Sequence, residues 1–152
     1  MSKGINPYNG EHYPDPTAHS ALTNILHEAK MEKREAENAN AVRRMTFICS
    51  PFAGDVPNNV RMARKYARYA FLRNRVPIAP HLLFPQFLND QRPAERSAGI
   101  DMGLMLLNQC GELWVFGGIV SRGMRCEIEY ANRHRIRVRY FDEQCKEVDR
   151  YD

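Results

Sequence analysis

Between residues 45 and 142 the period of the apolar pattern switches back and forth, and this limits the chain to few architectures. "MTFICS" (45–50), "VPIAPHLLF" (76–84), "ELWVFGG" (112–118) and "IRVRYF" (136–141) are short apolar runs of strand length. Between them the spacing is helical. Val60, Ala63, Ala67, Ala70 and Phe71 form one stripe with basic residues opposite. Ile100, Leu104 and Leu107 share one side of "ERSAGIDMGLMLLNQC" (95–110), and Met124, Ile128 and Ala131 one side of a helix from Ser121 to about His134. Strands that alternate with helices pair in parallel through right-handed crossovers, with helices covering both faces. The expectation is an α/β domain over 45–152 with a flavodoxin/Rossmann-like parallel sheet of four or five strands.

Residues 1–44 differ in character and read as an N-terminal helical extension. Asp15-Pro16 is an N-cap followed by proline at the first helical position. Leu22, Ile25, Leu26 and Ala29 then recur at i, i+3, i+4, i+7, whereas "KMEKREAENANAVRR" is charged. A stripe with no place in a four-strand core needs a cover, either the main domain or a second copy of the chain. A homo-oligomer is therefore expected.

Composition narrows the function classes. The 152 residues suffice for one ordinary domain with a real core, and 43% hydrophobic with 26% charged residues is usual for a globular chain. No apolar run approaches the ~20 residues that span a bilayer. The start, "MSKGINPYNGEHYPDPT", has no apolar stretch of a secretory signal, so a cytoplasmic protein is expected. The four cysteines at 49, 110, 126 and 145 show no CxxC pair and no histidine at ligand spacing. That argues against a disulfide framework or a metal site and for small buried hydrophobes. A net charge of +4 allows an anionic ligand without calling for nucleic acid, and the arginine-rich segments read mainly as solvated faces. Nothing resembles a Walker loop or a GxGxxG turn, so no cofactor is implied.

In open parallel sheets, ligands bind beyond the carboxyl ends of the strands, where the strand order switches. Three segments meet there. "SPFAGD" brings Ser50, Phe52, Gly54 and Asp55, "PHLLF" brings His81, and "GGIVSRG" brings Gly117, Ser121, Arg122 and Gly123. Ser121 is a favoured N-cap, and Gly123 lets a ligand approach the backbone. The free N–H groups and dipole of this helix start suit an anion, with Arg122 or Arg125 as an added donor. Glu127 lies one turn on and one step off the apolar face. A half-buried carboxylate needs a reason. Two remain open at this point: a salt bridge to one of the many arginines, or chemistry.

"ICSPFAGD", "PIAPHLLFPQFL", "ELWVFGG" and "SRGMRCEIEYA" together resemble the nucleoside 2-deoxyribosyltransferase-like superfamily, which includes the nucleoside 5'-monophosphate N-glycosidases. The nearest likeness is to its uncharacterised bacterial and phage branch, over roughly residues 45–142. The resemblance implies that Glu127 is the nucleophile, that Ser121 and Gly123 bind phosphate, and that Asp101 is the second acidic residue, able to protonate the leaving base. The deoxyribosyltransferases proper carry an aspartate where this chain has Ser121, which favours a nucleotide over a free nucleoside. Read from the residues themselves, Phe52 either stacks on the base or packs in the core or a loop, His81 either reaches the ligand or is simply hydrogen-bonded, and Tyr130, three residues after Glu127, is within reach of a hydrogen bond to it.

Two functions of different classes follow. One is an enzyme that cleaves the base–sugar bond of a nucleotide, as hydrolase or transferase, through a glycosyl-glutamate intermediate. The other is a nucleotide sensor that keeps the pocket without turnover.

Overall fold

The computed structural model describes residues 16–40 and 43–151 and divides into two compact units, Met1–Val42 and Arg43–Asp152. Within the first unit, α1 spans Pro16–Asn40, and Ile25, Leu26 and Met31 on it are exposed. The Asp15 cap and the Leu22 side chain lie outside the described residues.

The second unit runs β1 (Arg44–Cys49), α2 (Val56–Leu72), β2 (Arg75–Ile78), α3 (Pro80–Leu83), α4 (Pro93–Leu107), β3 (Glu112–Phe116), α5 (Arg122–Arg133), β4 (Arg137–Phe141) and β5 (Glu147–Val148). The strands form one sheet in the order β2-β1-β3-β4-β5. The first four are parallel and β5 closes the edge antiparallel. The expected α/β architecture is therefore present. Pro77, which cannot donate to a ladder on both sides, sits on the edge strand β2.

Successive residues of β1 and β3 point to opposite faces, and both faces are covered. Phe47, Cys49, Leu113 and Val115 pack with Leu107 of α4 and with Met124 and Ala131 of α5. Ile48, Trp114, Phe116 and Phe141 pack with Tyr66 and Ala70 of α2. Buried central strands with helices on either side explain why these runs are continuously apolar rather than alternating. Tyr66 stacks on Phe116 at 4.4 Å between ring centroids, and Phe116 on Phe141 at 4.9 Å.

Two local expectations shift. The buried face of α2 is Ala63, Tyr66 and Ala70, whereas Phe71 is exposed beneath the guanidinium groups of Arg43 and Arg68. The tyrosine ring fills the space over the aromatic cluster that the alanine positions cannot. The apolar run 76–84 leaves its strand at Ile78 and continues as a helical turn followed by a 3₁₀ turn at Phe84–Gln86. Pro80 and Pro85 each stand at the start of a turn, where their fixed φ is already suitable.

Candidate functional site

β1 pairs with β2 on one side and β3 on the other, so the strand order switches between β1 and β3. The chain leaves the carboxyl ends of both strands there and opens a crevice. After β3, Gly117 and Gly118 adopt φ of +102° and +73°. A β-carbon at Gly117 would stand 3.3 Å from Pro51 Cδ, so glycine there lets the two strand ends approach. Ser121 then caps α5, its Oγ accepting from the Met124 N–H at 3.3 Å. After β1, Gly54 has φ of +95° and Asp55 caps α2 by accepting from the Asn58 N–H at 3.2 Å.

One cavity of about 190 Å³ lies on the α4–α5 side of this crevice. Phe52, Pro80, His81, Phe84, Pro85 and Leu88 form one wall, Glu95, Arg96, Gly99, Ile100, Gly103 and Leu104 of α4 a second, and Gly123, Cys126 and Glu127 of α5 the third; Asp90 stands at the rim. Apolar walls with a few convergent polar groups are the usual make-up of a small-molecule site.

Glu127 is the unusual group. Burial pushes its pKa up to about 7, offset in part by a hydrogen bond from the Cys49 thiol. Among the described residues no arginine or lysine forms an ion pair with it. The arginines expected beside it are elsewhere. Arg75, Arg137 and Arg139 surround Glu112 at 3.5 to 3.7 Å, at the opposite end of the sheet, where Trp114 Nε1 also donates to that carboxylate at 2.7 Å. Register dictates this, because Arg137 pairs with Glu112 and Arg139 with Trp114 across β3 and β4.

His81 Nε2 and the Ser50 hydroxyl are 2.9 Å apart, and burial holds the histidine pKa down to about 4. The imidazole is therefore neutral at physiological pH, a fixed dipole on the wall facing α5.

Of the residues singled out in the sequence, Phe52, His81, Gly123 and Glu127 line the cavity, and Ser50 supports it through His81. Ser121 and Arg122 are exposed at the start of α5, just outside the lining. Gly54, Asp55 and Gly117 shape the neighbouring turns instead. Asp101 is exposed and outside the cavity, since α4 turns residues 96, 99, 100 and 103 toward it. Tyr130 packs against the core cluster and stacks on His134 at 3.8 Å. Cys126, expected to be a buried hydrophobe, is exposed at the cavity wall. Residues of the cavity lining with no individual signal in the sequence include Asp90, Glu95 and Arg96. The periodicity of α4 could have found Arg96, which shares a face with Gly99, Ile100 and Gly103.

The switch point, the capped helix start and the buried carboxylate belong to an α/β domain with the deoxyribosyltransferase fold. The chain is similar to the 2-deoxyribosyltransferase of Bacillus psychrosaccharolyticus, a biocatalyst for the synthesis of antiviral and antitumoral nucleosides, with a TM-score of 0.52 over 69% of this chain and 77% of that one. At 13% identity this likeness shows the fold alone. Residues 44–141 match the family described as a domain of unknown function (DUF7768), and the chain belongs to that family. No curated protein matches it.

Proposed function

We propose that this protein cleaves the base–sugar bond of a nucleotide, as an N-glycosidase or deoxyribosyltransferase, with Glu127 as nucleophile. The observation that carries the reading is a half-buried carboxylate that has no ion-pair partner among the described residues, on the wall of a cavity beside the start of α5. Desolvating a carboxylate is costly, and the usual structural return, an ion pair, is missing at this site. A cation that develops on the ligand can supply it. The oxocarbenium character that appears at C1' as the base leaves is such a charge.

In the first step a Glu127 oxygen bonds to C1' while the C1'–N bond breaks, and its electron pair departs with the base. The base takes up a proton. Asp101 cannot deliver it from its position on the outer face of α4. Of the carboxyls lining the cavity, Glu95 is engaged by the Asn89 N–H at 2.6 Å and by Arg92 at 3.0 Å, which leaves Asp90 for that role. In the second step water, or a second base in transfer, bonds to C1' as the C1'–O bond to Glu127 breaks, and its proton passes to the Asp90 carboxylate. Phe52 and Phe84 offer the base apolar ring faces. The 5'-phosphate sits at the α5 start, where the Ser121 oxygen accepts from Met124 and its hydroxyl proton remains to be donated. Gly123 leaves room, since a β-carbon on it would meet nothing within 4 Å.

The displaced Asp101 also favours a second reading, a silent sensor that binds the nucleotide without turnover. Incubation with a panel of nucleoside monophosphates and chromatography for free base separates the two. Base release from at least one supports the enzyme. Thermal stabilisation by one of them, with no release from any, supports the sensor.

A further inference from the structure

The outer face of α2 carries charge of one sign. Arg61, Arg64, Lys65 and Arg68 recur at i, i+3, i+4 and i+7, so they form one stripe, and all four are exposed. The helix has no acidic residue, and none occurs from Val56 through Asn89. Of the chain's 22 lysines and arginines, the other 18 are matched in number by its 18 acidic residues, so this stripe equals the whole net charge of +4. Among the described residues none of the four forms an ion pair. Arg61 donates to the neutral Asn58 side chain at 2.7 Å and Lys65 to the Glu143 backbone carbonyl at 2.8 Å, so both keep their full charge. Glu143 borders a small hollow with Arg61 without pairing to it. At the far end of the stripe Arg43 joins Arg68 over the ring of Phe71, at 4.8 and 5.2 Å from its centroid. We propose that this face of α2 binds the phosphate backbone of nucleic acid, without reading its sequence.

A face that is merely solvated mixes both signs. The other helices do so: Lys33 meets Glu37 on α1, and Arg133 meets Glu129 on α5. The strand arginines Arg75, Arg137 and Arg139 likewise meet Glu112. On α2, like charges stand three and four residues apart with no carboxylate between them, an arrangement that repels itself and that a polyanion relieves. Two features favour nucleic acid over an anionic membrane. A helix that docks on a membrane inserts its apolar face, and in α2 that face, Ala63, Tyr66 and Ala70, is packed on Ile48, Trp114 and Phe116. Three of the four cations are arginines, whose planar fork takes two phosphate oxygens at once. From Arg61 to Arg68 the helix rises about 10 Å, the length of about three nucleotides along one strand of a duplex. α2 covers the sheet face opposite α4 and α5, so this surface is separate from the cavity and stands independently of the glycosidic reading.

The test is fluorescence anisotropy of a labelled DNA duplex of about 20 base pairs and mixed sequence, titrated with the whole chain between about 50 and about 200 mM salt. Four phosphate contacts give a slope of log affinity on log salt of roughly −3.6, so wild-type binding weakens about a hundredfold across that range. The double change Arg64→Gln, Arg68→Gln should halve the slope to roughly −1.8 and lower the affinity at the low-salt end by about tenfold or more. The control Lys33→Gln, Arg133→Gln removes the same charge from two ion pairs and should keep the wild-type slope. Far-UV circular dichroism checks folding, and if the Arg68 change unfolds the chain, Arg61→Gln with Arg64→Gln takes its place. No binding of the duplex by wild type at about 50 mM salt overturns the proposal, as does an equal loss in the α2 variant and the control. Vesicles of equal parts phosphatidylserine and phosphatidylcholine form the second arm. Sedimentation of the protein with these vesicles, without binding to the duplex, would assign the face to a membrane instead.

Discussion

Glu127 and Glu112 are both shielded from water, and the chain treats them in opposite ways. Three arginines and an indole N–H surround Glu112 and pull its pKa down against the cost of burial. Glu127 has a thiol, and its pKa rises from 4.5 to about 7. A carboxyl whose folded pKa is raised adds stability that is full below the unfolded value and lost as pH climbs to the folded one. That window is about pH 4.5 to 7, and the loss is about 3 kcal/mol by linkage. Glu127→Gln should therefore stabilise the protein at about pH 8 by roughly 1–3 kcal/mol and do little at about pH 4, as read by urea denaturation. A salt-bridge role would instead lower stability at neutral pH. His81 works in the other direction. Its folded pKa is depressed from 6.5 to about 4, so the unfolded chain takes up the proton first. Its contribution is present above 6.5 and is lost as pH falls toward 4. The two slopes oppose each other over most of that interval, and Glu127→Gln should expose the histidine's acid limb. That a carboxylate lay at the crevice was legible, because Glu127 sits one step off a clear apolar face. Its partner was not. Which cation meets which carboxylate depends on strand register, and register sent the arginines of β2 and β4 to Glu112.

At the scale of elements, α5 tests whether its start is only a cap. Gly123 is a helical residue, and a β-carbon there meets nothing within 4 Å. Gly123→Ala should thus stabilise the free protein by about 0.5–1 kcal/mol through helix propensity, while weakening a nucleoside monophosphate more than the matching nucleoside. Ser121→Ala should cost about 1 kcal/mol through the lost cap and show the same ligand bias. Calorimetry with both ligands reads the comparison, and equal affinities would show that the terminus does not bind phosphate. Gly117→Ala is the contrast. Its φ of +102° and the nearby Pro51 leave no relaxed conformation, so melting temperature should fall without ligand bias. Strands and helices were readable because the apolar period changes sharply between them. The face of α2 was not, because an amphipathic tyrosine outcompeted phenylalanine for the core. The outer position of Asp101 was missed for a similar reason: a motif fixes order along the chain, but the phase of α4 is set by packing Leu107 against the sheet.

For the whole molecule, the exposed Ile25 and Leu26 of α1 keep the proposal of a homo-oligomer in view. Sedimentation should show a dimer or larger, and the double change Ile25→Asp, Leu26→Asp should shift it to monomer; a monomeric wild type removes the proposal. Among the described residues, no helix is long and apolar enough to cross a membrane, and no group of three His, Cys, Asp or Glu is placed to hold a metal ion. The most direct measurement pairs turnover with binding in wild type and Glu127→Gln, using the monophosphate that wild type cleaves best. Glu127→Gln keeps shape and removes charge, so the interaction it deletes belongs mainly to the transition state. Base release should fall by roughly three orders of magnitude or more while the dissociation constant changes less than about tenfold. Turnover within a few-fold of wild type in Glu127→Gln, with the fold intact, would contradict the assignment of Glu127 as nucleophile.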